Sequence, residues 1–146
     1  MVGYEVTMQY PVSLKHVDGV VMITCADIPE FATVGDDEDE ALLNAVDGIE
    51  TALMGYMSDR RRIPRASQRK RGQKLVVLPA LTVAKLGLYE AMLAKNWRKA
   101  DLARHLDLHM PQIDRLLNLQ HSTKIEQVEL ALHALGRRIE LSVLAA

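Results

Sequence analysis

The sequence predicts an α+β chain: a small β-β-α-β unit followed by an all-helical module that ends in a strand-like tail. Three observations predict it. Runs rich in β-branched and aromatic residues, YEVTMQY at 4–10, VVMITC at 20–25 and LVVL at 75–78, are bounded by Pro11, Asp18-Gly19 and Pro79. Between the second and third runs, Leu42, Val46, Ile49, Leu53 and Tyr56 recur at spacings of three and four, which is one face of an amphipathic helix. Beyond Pro79 the strand signal gives way to helical periods with short polar breaks.

The first two strands should form a hairpin, the first of them ending at Pro11. ADIPEF, residues 26–31, should interrupt the sheet, because Pro29 has no N–H to give to a ladder. The helix is expected over 37–57. Asp37 followed by Glu40 fits a capping box, and acids in the first turn offset the positive end of the helix dipole. Residues 60–74 carry eight bases and no apolar period, so they should form a loop or linker. Further helices are expected over 81–96, 98–106, 111–117 and 125–135, the last closed by Gly136 in the left-handed conformation. The tail RRIELSVLAA alternates like a strand but has no local partner. Unpaired buried backbone groups are costly, so the tail predicts a homodimer or larger assembly through the C-terminal module. The resulting boundaries are 1–79, with 59–74 as basic linker, and 80–146.

With 146 residues, nearly half of them apolar, the chain can fill one ordinary domain or two small ones. It has no run of about 18 apolar residues to cross a membrane. Its start lacks the basic-then-apolar order of a secretory signal, so a cytoplasmic protein is expected. Cys25, the single cysteine, excludes an intrachain disulfide or thiolate cluster and should be buried and inert. The net charge of -1 conceals a split: residues 1–58 hold eleven acids and one base, residues 59–146 eight acids and seventeen bases. A basic half is the footprint of nucleic-acid binding, and an acidic half suits a basic protein.

Residues 98–124, RKADLARHLDLHMPQIDRLLNLQHSTK, carry the strongest local motif. Leu102, Ala103 and Leu106 face inward on one short helix, Asp107-Leu108 makes a turn, and Ile113, Leu116 and Leu117 form the buried side of a second helix. Pro111 sits in the first turn of that helix, where a missing N–H matters little. His109, Met110, Gln112 and Arg115 are left at the outward N-terminal end, which in a helix-turn-helix enters the major groove. Gln112 suits adenine; Arg115 suits guanine or a phosphate. Lys99, Thr123 and Lys124 suit phosphate contacts at helix starts. The pattern resembles the Cro/repressor-type helix-turn-helix family, although Lys99 replaces its usual glutamine and Asp107 its frequent glycine.

A catalytic role finds little support. Metal-dependent nucleases need carboxylates that converge on one ion, whereas Asp36 to Glu40 fan outward about 100° apart along a helix. His105, His109 and His121 are separated by a turn and lack a fourth ligand, so no metal and no cofactor are expected.

Taken together, YPVSL, ITCADIPEFATVGDDEDEAL, LPALTVAKLGLYEAML and, most specifically, IDRLLNLQHSTKIEQVELALHALG follow one another as in the HicB antitoxins. The chain resembles the helix-turn-helix branch of that family along nearly its full length. The resemblance implies an N-terminal domain like a partial RNase H fold without the nuclease's carboxylate set. Such a domain binds and inhibits HicA, a small basic mRNA-cleaving toxin. It also implies a C-terminal domain that binds operator DNA as a dimer and autoregulates the operon. The toxin contacts expected here are Asp27, Glu30, Asp37, Glu38, Asp47 and Glu50. The basic stretch 60–74 departs from the family's usual look, and either adds DNA affinity or folds back on the acidic domain. The alternatives are a helix-turn-helix regulator with a ligand-sensing N-terminal domain and an RNase H-like nuclease.

Overall fold

The computed structural model describes residues 9–145. Strands β1 (Gln9–Val17), β2 (Val20–Cys25) and β3 (Ile28–Gly35) precede the long helix α1 (Glu38–Ser58). Strand β4 (Lys74–Val77) and helices α2 (Ala80–Ala94), α3 (Lys99–Leu106), α4 (Met110–Leu117) and α5 (Ile125–Ala134) follow. The α+β class is as expected. The four strands form one antiparallel sheet in the order β3-β2-β1-β4.

Two strand expectations need correction. The first strand does not end at Pro11; β1 continues to Val17, and the expected residues 4–8 lie outside the described part of the chain. Pro11 is tolerated because β1 pairs with β4 over Gln9–Val12 and with β2 only from Ser13 onward. Nor does Pro29 interrupt the sheet. It lies on β3, an edge strand, between the paired positions Cys25↔Ile28 and Thr24↔Ala32, where the register shifts. An edge bulge asks no ladder N–H of that residue, so a proline fits.

Helix α1 covers one face of the sheet. Its buried residues are Ala41, Ala45, Ile49, Glu50, Leu53 and Tyr56, so the stripe is turned by one residue from Leu42 and Val46, which are half-buried. Close approach explains two glycines at this contact. A Cβ on Gly35 would stand 2.3 Å from the Ala41 nitrogen, and one on Gly48 would meet the Phe31 ring at 2.6 Å. On the opposite face of the sheet Met22, Val34, Leu75 and Val77 are exposed.

The basic stretch is ordered coil laid against the rest. Ile63 is buried, its N–H donates to Glu90 on α2 (2.8 Å), and Tyr10 Oη donates to the Pro64 carbonyl (2.5 Å). Tyr89 Oη donates to the Arg61 carbonyl at 2.6 Å, and burial pushes its pKa up to about 12. Arg60 reaches the Trp97 carbonyl at 3.2 Å. The segment therefore ties the sheet to the helices.

Helix α5 ends as expected at Gly136, φ +72°, whose N–H donates to His133 while that of Arg137 reaches Leu132. The described tail, 137–145, forms no strand in the single chain; Leu141, Val143 and Leu144 are exposed.

Candidate functional site

The first surface is built around the N-terminus of α1. Asp37 caps the helix, its Oδ1 accepting from the Glu40 N–H at 2.8 Å. Glu40 accepts from the Asp36 N–H at 2.9 Å, one residue earlier than a capping box requires. Glu38 accepts from Lys74 at 3.1 Å and lies 3.4 Å from His16; Lys74 and His16 hold its carboxyl below the usual range. Capping and pairing therefore engage Asp37, Glu38 and Glu40, more than the one or two acids that capping alone uses. Asp36 and Asp39 are exposed with no side-chain partner among the described residues, and so is Asp47 two turns further along.

The other acids lie where the basic segment crosses the sheet. Glu30 accepts from Tyr56 Oη (2.6 Å) and from Arg61 (3.3 Å), and the Arg61 guanidinium stands 4.1 Å over the Tyr56 ring. The Tyr56 hydrogen bond, with Arg61 beside it, lowers the Glu30 pKa. Asp27 accepts from both the N–H and the hydroxyl of Ser67, at 2.9 and 3.1 Å. The basic stretch thus folds back on the acidic unit. Glu50 is different: it is buried, accepts from Thr82 Oγ1 at 2.5 Å, and burial raises its pKa with the Asp47 charge adding to the effect.

The second surface is the α3–α4 pair. Leu102, Ile113, Leu116 and Leu117 are buried, as the pattern predicts. Asp107 closes α3 at φ 53°, ψ 49°, the left-handed conformation that glycine would adopt without strain. His109 is the N-cap of α4, followed by Met110 and Pro111. His109, Met110, Gln112 and Arg115 are all exposed. Gln112 Oε1 accepts from the His109 N–H at 2.9 Å, so half of its amide is occupied. Lys99 pairs with Asp114 at 2.9 Å. Lys124 is exposed at the start of α5, whereas Thr123 turns inward and its hydroxyl lies between Lys85 and the Arg115 carbonyl.

Between the two surfaces runs a polar seam that the sequence did not announce. Lys85 on α2 is fully buried, and the three N–H groups of its ammonium are shared among four acceptors at 2.7–2.9 Å, the carbonyls of Arg115, Asn118 and His121 and Thr123 Oγ1. Gln120 donates to the Asp47 carbonyl and to Thr51 on α1. An open cleft of about 450 Å³ beside the seam is lined by Asp47, Glu50, Thr82, Gln120 and His121 among others. Cys25 is buried, its thiol donating to the Pro11 carbonyl, and burial pushes its pKa up. Among the described residues no group of three or more His, Cys, Asp or Glu side chains is placed to hold a metal ion, and no helix is long and apolar enough to cross a membrane.

Comparison with known proteins agrees with the resemblance. Residues 9–87 match a family described as "HicB_like antitoxin of bacterial toxin-antitoxin system". Antitoxin HicB of Pseudomonas fluorescens (strain Pf0-1) is 46% identical over 143 residues, which cover 97% of this chain and 98% of that protein. Antitoxin HicB 2 of Photorhabdus laumondii is 41% identical (92% and 95% covered), and Antitoxin HicB of Escherichia coli K12 36% (92% and 98%). The chain belongs to the HicB antitoxin family.

Proposed function

We propose that the chain is an antitoxin that binds and inhibits a HicA-type mRNA-cleaving toxin and, as a dimer, binds operator DNA to repress its own operon. It acts by binding, not catalysis, in the cytoplasm. Residues 1–79 form the toxin-binding unit, a partial RNase H-like domain, and residues 80–146 a Cro/repressor-type helix-turn-helix domain. The observation that carries the reading is the outward end of α4. In a chain of this family, a short helix after a tight turn presents Arg115, Gln112, His109 and Met110 to solvent over a buried Ile113–Leu116–Leu117 side. That is the arrangement by which a recognition helix reads a major groove. Lys124 and, once released from Asp114, Lys99 add phosphate contacts. Thr123 contributes through its backbone N–H, since its hydroxyl is taken.

On the toxin side, Asp36, Asp39 and Asp47 offer carboxylates with no side-chain partner among the described residues, while Asp27, Glu30, Asp37 and Glu38 meet a toxin only by sharing or exchanging their present partners. Glu50 lies beneath this surface and supports it from inside. The sheet face on which Met22 and Val34 are exposed supplies the apolar area that a protein interface adds to its charged rim. The alternating tail pairs with its copy in the dimer. The test is co-expression with the basic product of the adjacent reading frame. Co-purification and rescue of growth are expected, with a retarded band on the upstream duplex. A neighbour that neither co-purifies nor loses toxicity would remove the antitoxin reading.

A further inference from the structure

The seam around Lys85 has no place in either binding surface, yet it touches both. Helix α4 has eight residues, too few to hold its own pose in water. The last carbonyls of a helix also lack partners within it. Here one of them, that of Arg115, is met by the Lys85 ammonium, which collects the Asn118 and His121 carbonyls and the Thr123 hydroxyl in the same grip. A buried cation at a helix C-terminus also lies at the favourable end of the dipole. The loop that leaves α4 is fixed a second time by its own Gln120, which donates to the Asp47 carbonyl and the Thr51 hydroxyl of α1. One turn before Lys85, Thr82 donates to the buried Glu50 of α1, whose charge offsets that of the lysine.

We propose that Lys85 is a positioning residue for operator recognition, a role that rests on the operator-binding reading above: its ammonium clasps the C-terminal end of α4 and the following loop, and so sets the angle at which Arg115 and its neighbours enter the groove. Phosphate contacts tolerate a shifted helix, because phosphates repeat along the duplex. Base contacts do not, because their donors and acceptors are fixed in direction. Loss of the clasp therefore removes discrimination between sequences before it removes binding.

The test uses full-length wild type, Lys85→Met and the double variant Lys85→Met/Glu50→Gln, whose second change removes the buried carboxylate left without a counter-charge. Each is titrated by fluorescence anisotropy onto the duplex upstream of its own operon and onto a scrambled duplex of equal length, with urea unfolding alongside. Lys85→Met is expected to lose roughly tenfold or more in affinity for the upstream duplex, the scale of one good base contact. Affinity for the scrambled duplex should change by less than about twofold, since it rests on phosphates. The loss should persist in the double variant even as its unfolding midpoint recovers. Lys85→Gln, which keeps two donors, is the milder variant should methionine prevent folding, and it should lose discrimination in the same direction. Unchanged discrimination in a folded variant overturns the proposal. So does its return in the double variant, because Lys85 would then only neutralise Glu50. A wild-type chain that treats the two duplexes alike overturns the operator reading itself, which keeps the two failures apart.

Discussion

If the chain binds operator DNA as proposed, replacing Arg115 by alanine should separate that binding from folding. The side chain is exposed on α4 and has no acid partner among the described residues, so its removal should change stability by less than about 0.5 kcal/mol. A bidentate contact to guanine is worth about 1–3 kcal/mol, or roughly 5-fold to 150-fold in affinity, for each half-site of a dimer. If Arg115 meets a phosphate instead, the loss is uniform across sequences and the slope of log K against log salt falls by about 0.9 per contact. Gln112→Ala differs because the Gln112 carbonyl already accepts from the His109 N–H. A bidentate bond to adenine needs that carbonyl, so recognition and capping compete for it. Gln112→Ala should therefore destabilise the chain by about 0.5–1 kcal/mol, the scale of a lost cap contact, and weaken operator binding less than Arg115→Ala. Anisotropy titrations over a salt series and urea unfolding of both variants measure all of this. Arg115→Ala binding within twofold of wild type at every salt concentration would take that residue out of the interface; Gln112→Ala as stable as wild type would refute the cap.

Reversing Asp36 and Asp47 to lysine should weaken toxin binding while leaving the Asp37 cap and the first-turn acids in place; equal affinity by calorimetry would mean these two acids are only solvated. Asp107→Gly should raise stability by about 0.5–1 kcal/mol, because glycine adopts the left-handed conformation without the penalty of a Cβ, and a lowered melting temperature would contradict that. Ile63→Ala should cost about 2–4 kcal/mol and open the arginines of the basic segment to trypsin under native conditions; an unaltered digestion pattern would show that Ile63 does not anchor it. Glu30 has a folded pKa below its ordinary value, so its contribution is present above the ordinary carboxylate range and lost as pH falls through the lowered value. The stability gap between wild type and Glu30→Gln should accordingly close on acidification, and a gap that widens would reverse the sign of the argument.

How much of this could be read from sequence depends on whether the partners were near in the chain. The α3–α4 pair was readable because its signals are local: apolar spacing and a proline in the first turn of the second helix. Gly136 was readable for the same reason. Strand β3 was hidden because a proline argues against a ladder only if the strand is central, and edge position is not written in the sequence. In the stripe of α1, Ile49, Leu53 and Tyr56 are buried as their spacing predicts, whereas Ala41 and Ala45 take the buried side in place of Leu42 and Val46; at Ala41 the helix backbone comes within 2.3 Å of where a Gly35 Cβ would stand. Lys85 sits on the apolar-rich helix α2 and is fully buried. Its four acceptors lie 30–38 residues further along, so no window around it contained the reason for its burial.

The same distinction between chain and space changes the meaning of the charge split. Divided after residue 58, the sequence separates into -10 and +9. The basic segment, however, packs on the sheet, where Arg61 meets Glu30 and Lys74 meets Glu38. Counted with that segment, residues 1–79 hold twelve acids and nine bases, a net of -3, and residues 80–146 seven acids and nine bases, a net of +2. Charges of that size do not choose a partner by themselves at ordinary salt, where the Debye length is about 8 Å. On the proposed function, recognition then rests on local groups: on one side Asp36 and Asp39, which have no side-chain partner among the described residues, on the other the direction in which α4 points Arg115. That places unusual weight on whatever fixes the pose of an eight-residue helix, and Lys85 is the charged group that reaches its end.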